Sequence, residues 1–147
     1  MPVQAIAPER ELLNADIGEE LFQLVWRYRQ QADQQFAPFG LNSLRALVLG
    51  LIAKERQHPK ALANHLDLAP PAISHLLTEF EERGLVARSL DTVDRRRVAL
   101  EITEAGKELL AKVESAWTQL NSAGMANLSD KEAGHFRDLL RKIAGTP

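Results

Sequence analysis

Three consecutive cations, Arg95, Arg96 and Arg97, follow Asp94 inside a short polar stretch. Guanidinium groups crowded on a loop suit phosphate oxygens and the concentrated negative potential of a narrow DNA minor groove. Upstream, Pro71, Ser74, His75 and Thr78 share one side of a helical repeat whose other side is Ile73, Leu76, Leu77 and Phe80. Ser74, His75 and Thr78 are short hydrogen-bonding groups able to reach base edges or phosphates, and Pro71 and Ala72 can touch thymine methyl groups. Lys60 and Arg88 complete the candidate DNA contacts. Other chemistry is poorly provided for. With no cysteine, there is no disulfide, thiolate metal site, cysteine nucleophile or thiol redox sensor. A Gly-rich phosphate loop, a nucleophile elbow and paired carboxylates in an apolar setting are all missing, so neither an enzyme nor a cofactor is expected.

The elements that must position these groups read as helices around one hairpin. Ile17, Leu21, Leu24, Val25 and Tyr28 recur at helical spacing between about Glu9 and Phe36, before Pro38 and Gly40. Leu44, Leu47, Val48, Leu51 and Ile52 mark a second, amphipathic helix. Leu62 and Leu66 suit a brief third helix over Lys60 to Leu66. The next opens at Pro70 and Pro71, where a missing N–H costs nothing, and Gly84 is placed to end it. Leu85 to Ser89 and Val98 to Ile102 have strand character, the second with Val98, Leu100 and Ile102 alternating against Ala99 and Glu101. A charged loop from Leu90 to Arg97 joins them. Two helices finish the chain, one from about Thr103 with Leu110, Val113, Trp117 and Leu120. The other starts at about Ser129, carries Phe136, Leu139, Leu140 and Ile143, and has Glu132 placed for a capping box.

A short helix, a tight turn and a second helix with a small polar outer face form a helix-turn-helix, and a basic hairpin directly after it forms a wing. The expected fold is therefore mainly α with a short β-hairpin wing, in one domain of 147 residues. Residues 9–36 and 103–147 are expected as dimerisation helices and 41–102 as the winged helix-turn-helix. An apolar content of 45% with 26% charged residues is that of a folded soluble protein. The longest apolar run, Ala46 to Ala53, is too short to cross a bilayer, and Glu9, Arg10 and Glu11 interrupt any signal-peptide pattern, so a cytoplasmic location is expected. The net charge of −2 is compatible with a nucleic-acid partner once it is divided: Arg83 to Arg97 holds five arginines against Asp91 and Asp94. Screening over about 8 Å makes that local cluster matter more than the distant sum.

Particular stretches resemble a known family. Gly84-Leu85-Val86-Ala87-Arg88, then Asp94-Arg95-Arg96, then Ile102-Thr103-Glu104-Ala105-Gly106 are similar to the signature of the MarR family (multiple antibiotic resistance regulators), and the order of elements is similar from end to end. The resemblance implies a homodimeric repressor on a palindromic operator, with a recognition helix over about 70–83 and a wing over about 85–102. It implies that Arg96 enters the minor groove and that Asp94 pairs with Arg88 to hold the wing. It also implies a small aromatic effector bound between the dimerisation helices and the winged domain, for which Trp26, Tyr28 and Phe39 are candidates beside their ordinary role as packing residues. Departures from the family pattern are Ala69, Pro71, Ala72 and His75, where members carry a capping serine, Ser/Thr-rich residues and an arginine. Weaker readout of G·C pairs is the expected result.

Two other readings compete. A winged helix can serve as a protein-interaction module without sequence-specific DNA binding, although such a module has no need of three adjacent cations on its wing. His135, with Glu132 and Asp138 one turn away on either side, is the histidine best placed for a metal, but exposed His/acid neighbours at helical spacing are frequent and no metal is expected.

Overall fold

The computed structural model describes residues 8–54 and 58–145. Among the described residues, six helices, numbered in chain order, flank one hairpin: α1 (Pro8–Phe36), a 3-10 turn (Ala37–Phe39), α2 (Ser43–Lys54), α3 (Pro59–Leu66), α4 (Pro70–Glu82), β1 (Val86–Leu90), β2 (Val98–Ile102), α5 (Glu104–Met125) and α6 (Asp130–Ala144). The chain divides into two compact units, residues 1–47 and 48–147, with the boundary inside α2. No single helix among the described residues is long and apolar enough to cross a membrane.

In the first unit, α1 stops where Pro38 cannot extend it and Gly40 takes the left-handed conformation, its N–H donating to the Ala37 carbonyl at 2.9 Å. The start of α2 is capped twice. Ser43 N–H donates to Asp33 Oδ1 at 2.7 Å, and Arg45 N–H to Asn42 Oδ1 at 2.9 Å, which satisfies two of the orphan donors of a helix N-terminus. The Ser43 N–H also holds the Asp33 carboxyl below its ordinary pKa. Ala32, Phe36, Leu41 and Ala46 are buried, whereas Leu12, Ile17, Phe22, Val25 and Trp26 on α1 are exposed.

The second unit holds the helix-turn-helix. Asp67, at φ 51°, makes the left-handed turn that ends α3, and Leu68 N–H closes it on the Ala63 carbonyl at 3.0 Å. α4 buries Ile73, Leu76, Leu77 and Phe80, the four residues of its apolar stripe, and ends at Gly84 with φ 69°. The hairpin pairs Val86 with Ile102, Arg88 with Leu100 and Leu90 with Val98. Its base is knitted by the Thr103 side chain, which donates to the Gly84 carbonyl at 2.6 Å and accepts from Gly106 N–H at 3.1 Å to cap α5. A methyl group on Gly106 would collide with the Leu85 carbonyl oxygen and stand 2.6 Å from Ile102 Cγ1, so only glycine allows α5 to start this close to the hairpin. α6 opens on a full capping box between Ser129 and Glu132.

Three local expectations change. β1 begins at Val86 rather than Leu85, because Leu85 N–H is spent on the Phe80 carbonyl at 2.9 Å in closing α4. In α2, Leu47 is exposed while Val48, Leu49 and Ile52 are buried. The helix is apolar on more than one side, so the repeat of its leucines does not mark its buried face. In β2, Ala99 and Leu100 are both buried and Val98 is exposed, because the small Ala99 is enclosed with Leu100 while Val98 stands at the mouth of the loop.

Candidate nucleic-acid interface

The outward face of α4 is as small as the sequence implies. Pro71, Ala72, Ser74, His75 and Thr78 are exposed, and the longest of them is an imidazole. Thr78 Oγ1 donates to the Ser74 carbonyl at 3.0 Å, which turns its lone pairs outward as acceptors. The N-cap, Ala69, makes no side-chain cap. Pro71, the second residue of the helix, has no N–H and so removes one of the two donors such a cap would serve.

The wing is built by two aspartates. Asp91 Oδ1 accepts from Val93 N–H at 2.7 Å and Asp94 N–H at 3.1 Å, and Asp91 N–H donates to the Arg97 carbonyl at 2.9 Å. Asp94 Oδ1 accepts from Arg96 N–H at 3.1 Å, and its Oδ2 pairs with Arg97 Nε at 3.3 Å. These are Asx turns, in which a short carboxylate replaces the backbone as acceptor. Arg95, Arg96 and Arg97 are exposed, and among the described residues Arg95 and Arg96 have no ion-pair partner. The loop therefore presents two uncommitted guanidinium groups beside one already tied to Asp94.

The expected pair between Arg88 and Asp94 is not formed. Arg88 lies in the middle of β1, opposite Leu100, and its guanidinium turns back to Glu81 on α4. Asp94 sits beyond the end of the strands and is occupied by Arg96 and Arg97. Arg88 thus braces the hairpin against α4, and Asp94 shapes the loop with Asp91 rather than with Arg88. Lys60, Ser74 and Arg88 do converge: they line one cleft of about 330 Å³ between α3 and α4, floored by Ile73 and Leu77.

The effector candidates are less well gathered. Trp26 is exposed, whereas Tyr28 and Phe39 are half-buried, and partial burial pushes the Tyr28 hydroxyl above its ordinary pKa. Trp26 and Tyr28 are two residues apart on one helix and so project to different sides of it. His135 is exposed on α6, and no grouping of three histidine or acidic side chains fit for a metal occurs among the described residues.

Glu81, Asp91 and His58 also act here without having been singled out by sequence. An aspartate opening a polar turn is an Asx signal, by which Asp91 could have been found. Glu81 and His58 meet partners across tertiary space, at no local spacing. His58 Nδ1 is 2.8 Å from the Val98 carbonyl and its Nε2 is 3.2 Å from Asp91 Oδ2.

Comparison with known proteins agrees with this geometry. A family model described as the MarR family matches residues 39–97. A protein assigned as the transcriptional regulatory protein for the hcr operon of Thauera aromatica is 35% identical over 83 residues, 56% of this chain, and the chain spans half of that relative's length. A MarR-family transcriptional regulator from Rhodococcus sp. RHA1 superposes with TM-score 0.76 at 27% identity, covering 97% of this chain and 98% of that one. S. aureus MepR, solved in complex with DNA, shares the fold at TM-score 0.74 and 24% identity, over 86% of this chain and 96% of that one. With the signature residues knitting the hairpin to α4 and α5, the winged segment matches the MarR family over residues 39–97, and nearly the whole chain shares the fold of a solved MarR-family transcriptional regulator.

Proposed function

We propose that the protein is a homodimeric repressor that binds a palindromic DNA operator. The observation that carries this is the wing: two uncommitted guanidinium groups, Arg95 and Arg96, on a loop stiffened by Asp91 and Asp94, in the same compact unit as the small exposed face of α4. α4 enters the major groove with Ser74, His75 and Thr78 toward base edges, and Arg96 enters the adjacent minor groove. Lys60, Arg95 and Arg97 meet phosphates. That MepR, a protein of the same fold, was solved with DNA supports the reading by analogy.

Dimerisation is supported by apolar side chains that a single chain leaves bare: Leu12 (70% exposed) and Phe22 (71%) on α1, and Ile143 (67%) on α6. A two-fold pair places two recognition helices about 34–36 Å apart on successive major grooves. Release by a small aromatic ligand, with Trp26, Tyr28 and Phe39 as candidate contacts, is carried over from the family resemblance. Binding on oligonucleotides with A·T-rich or G·C-rich flanks tests the minor-groove role. Arg96→Ala is expected to cost more on A·T flanks, while Arg95→Ala weakens both alike. Equal losses on both targets would reduce the wing to a charged patch.

The second reading, a protein-binding module, draws on Leu90 and Val93, which are 64% and 94% exposed on the wing. It predicts affinity for DNA that does not discriminate between sequences.

A further inference from the structure

We propose that His58 is a positioning residue for DNA binding, a clamp that holds the mouth of the wing against the start of α3. The proposal rests on the DNA-binding reading above and adds a residue and a device to it. His58 immediately precedes Pro59, the first residue of α3, and its own side chain does not cap that helix. The ring instead reaches the two ends of the wing loop: Nδ1 to the carbonyl of Val98, where β2 begins, and Nε2 to the carboxylate of Asp91, where the loop leaves β1. Asp91 is the residue whose other oxygen folds the turn through Val93 and Asp94 N–H, so the clamp grips the group that shapes the loop. The two side chains are 28% and 16% exposed, enough burial to keep water from replacing the contacts freely.

The partners on the ring are both oxygen acceptors, a carbonyl and a carboxylate. A neutral imidazole has one N–H and can donate to only one of them; its other nitrogen then turns a lone pair toward an oxygen. Both contacts are satisfied together only by the imidazolium. Among the described residues the charged group meeting the ring is Asp91 from the wing. Val98 of β2 contributes only its carbonyl, Asp94 and Arg97 pair with each other across the turn, and Lys60, two positions along α3, is exposed. Protonation therefore tightens the wing against α3, and loss of the proton releases one side of it.

The experiment uses the full chain and two readouts, amide hydrogen exchange of the wing in the free protein and affinity for an operator-like duplex. Each is measured at about pH 6 and about pH 8. In the native protein the wing amides of Asp91 and Arg97, corrected for intrinsic exchange, are expected to be about three- to tenfold better protected at the lower pH, the scale of one hydrogen bond. His58→Ala abolishes that difference and weakens DNA binding by a similar factor at the lower pH. His58→Gln restores part of the protection, because its amide still donates, but without pH dependence. Asp91→Asn keeps the turn oxygen and loses the charge, so it too should flatten the profile. Unchanged wing protection and an unchanged pH profile in His58→Ala would overturn the clamp. Wing protection that follows His58 in a protein with no affinity for DNA would leave the clamp standing and overturn the DNA-binding reading instead.

Discussion

At the scale of single residues, Asp94 separates shape from charge. It accepts from Arg96 N–H and pairs with Arg97, so Asp94→Ala is expected to weaken DNA binding by about three- to tenfold, although removing a negative charge beside DNA should by itself help. Asp94→Asn keeps the Oδ1 acceptor and is expected to bind as well as the native protein or better. Anisotropy titration of the two variants decides it: tighter binding by Asp94→Ala would mean that the loop needs no such support. The sequence pointed to Asp94 through its place in the Asp-x-Arg signature but named the wrong partner. Arg88 and Asp94 are close along the chain, yet a strand residue opposite Leu100 reaches the helix beneath the sheet more readily than the tip of its own loop. His58 was illegible for a related reason. Forty positions separate it from Val98, and nothing in composition or periodicity marks a histidine whose partners arrive with the fold.

At the scale of elements, two helix starts give opposite predictions. Ala69 has the extended backbone of an N-cap and no side-chain acceptor, so Ala69→Ser is expected to stabilise the fold by about 0.5–1 kcal/mol, read as a higher midpoint in urea. Gly106→Ala forces a methyl onto the Leu85 carbonyl and is expected to cost about 1–3 kcal/mol in the same measurement. Both positions were partly readable in advance. The missing cap at Ala69 is a departure visible in the sequence, and Gly106 belongs to the Ile-Thr-Glu-Ala-Gly stretch, although only the structure supplies the reason for a glycine there. Strong local signals, such as the stripe Ile73, Leu76, Leu77 and Phe80 or the Ser129–Glu132 box, match the structure. α2 does not follow its leucine spacing. Where a helix is apolar nearly all round, periodicity cannot say which side is covered. A third helix start responds to acid. The Asp33 carboxyl is held below its ordinary pKa by the Ser43 N–H, so its contribution to stability is present above the unfolded carboxylate range and is lost as pH falls through the folded value. The stability gap between the native protein and Asp33→Ala should therefore narrow on acidification, and a gap constant with pH would contradict the capping role.

At the scale of the molecule, the exposed apolar residues of α1 and α6 and the two-fold spacing of successive major grooves belong to one proposal. Sedimentation at micromolar concentration is expected to give a dimer, and charged substitutions at Phe22 or Ile143 to shift it toward monomer; a native monomer that still bound a single half-site tightly would contradict the two-fold arrangement. Mainly helical architecture and the wing were legible because hydrophobic periodicity and a basic loop are local signals. The partner of the bare apolar faces is not a local property of one chain. The central claim is that the α4 face and the wing bind duplex DNA through phosphates and groove contacts. Its most direct measurement is fluorescence-anisotropy titration of the native protein with operator-like duplex over a range of salt concentrations. Log affinity is expected to fall linearly with log salt, and the steepness to drop by about one unit in Arg95→Ala, because each neutralised phosphate releases about one counterion. Affinity indifferent to salt, or a slope unmoved by loss of Arg95, would contradict it.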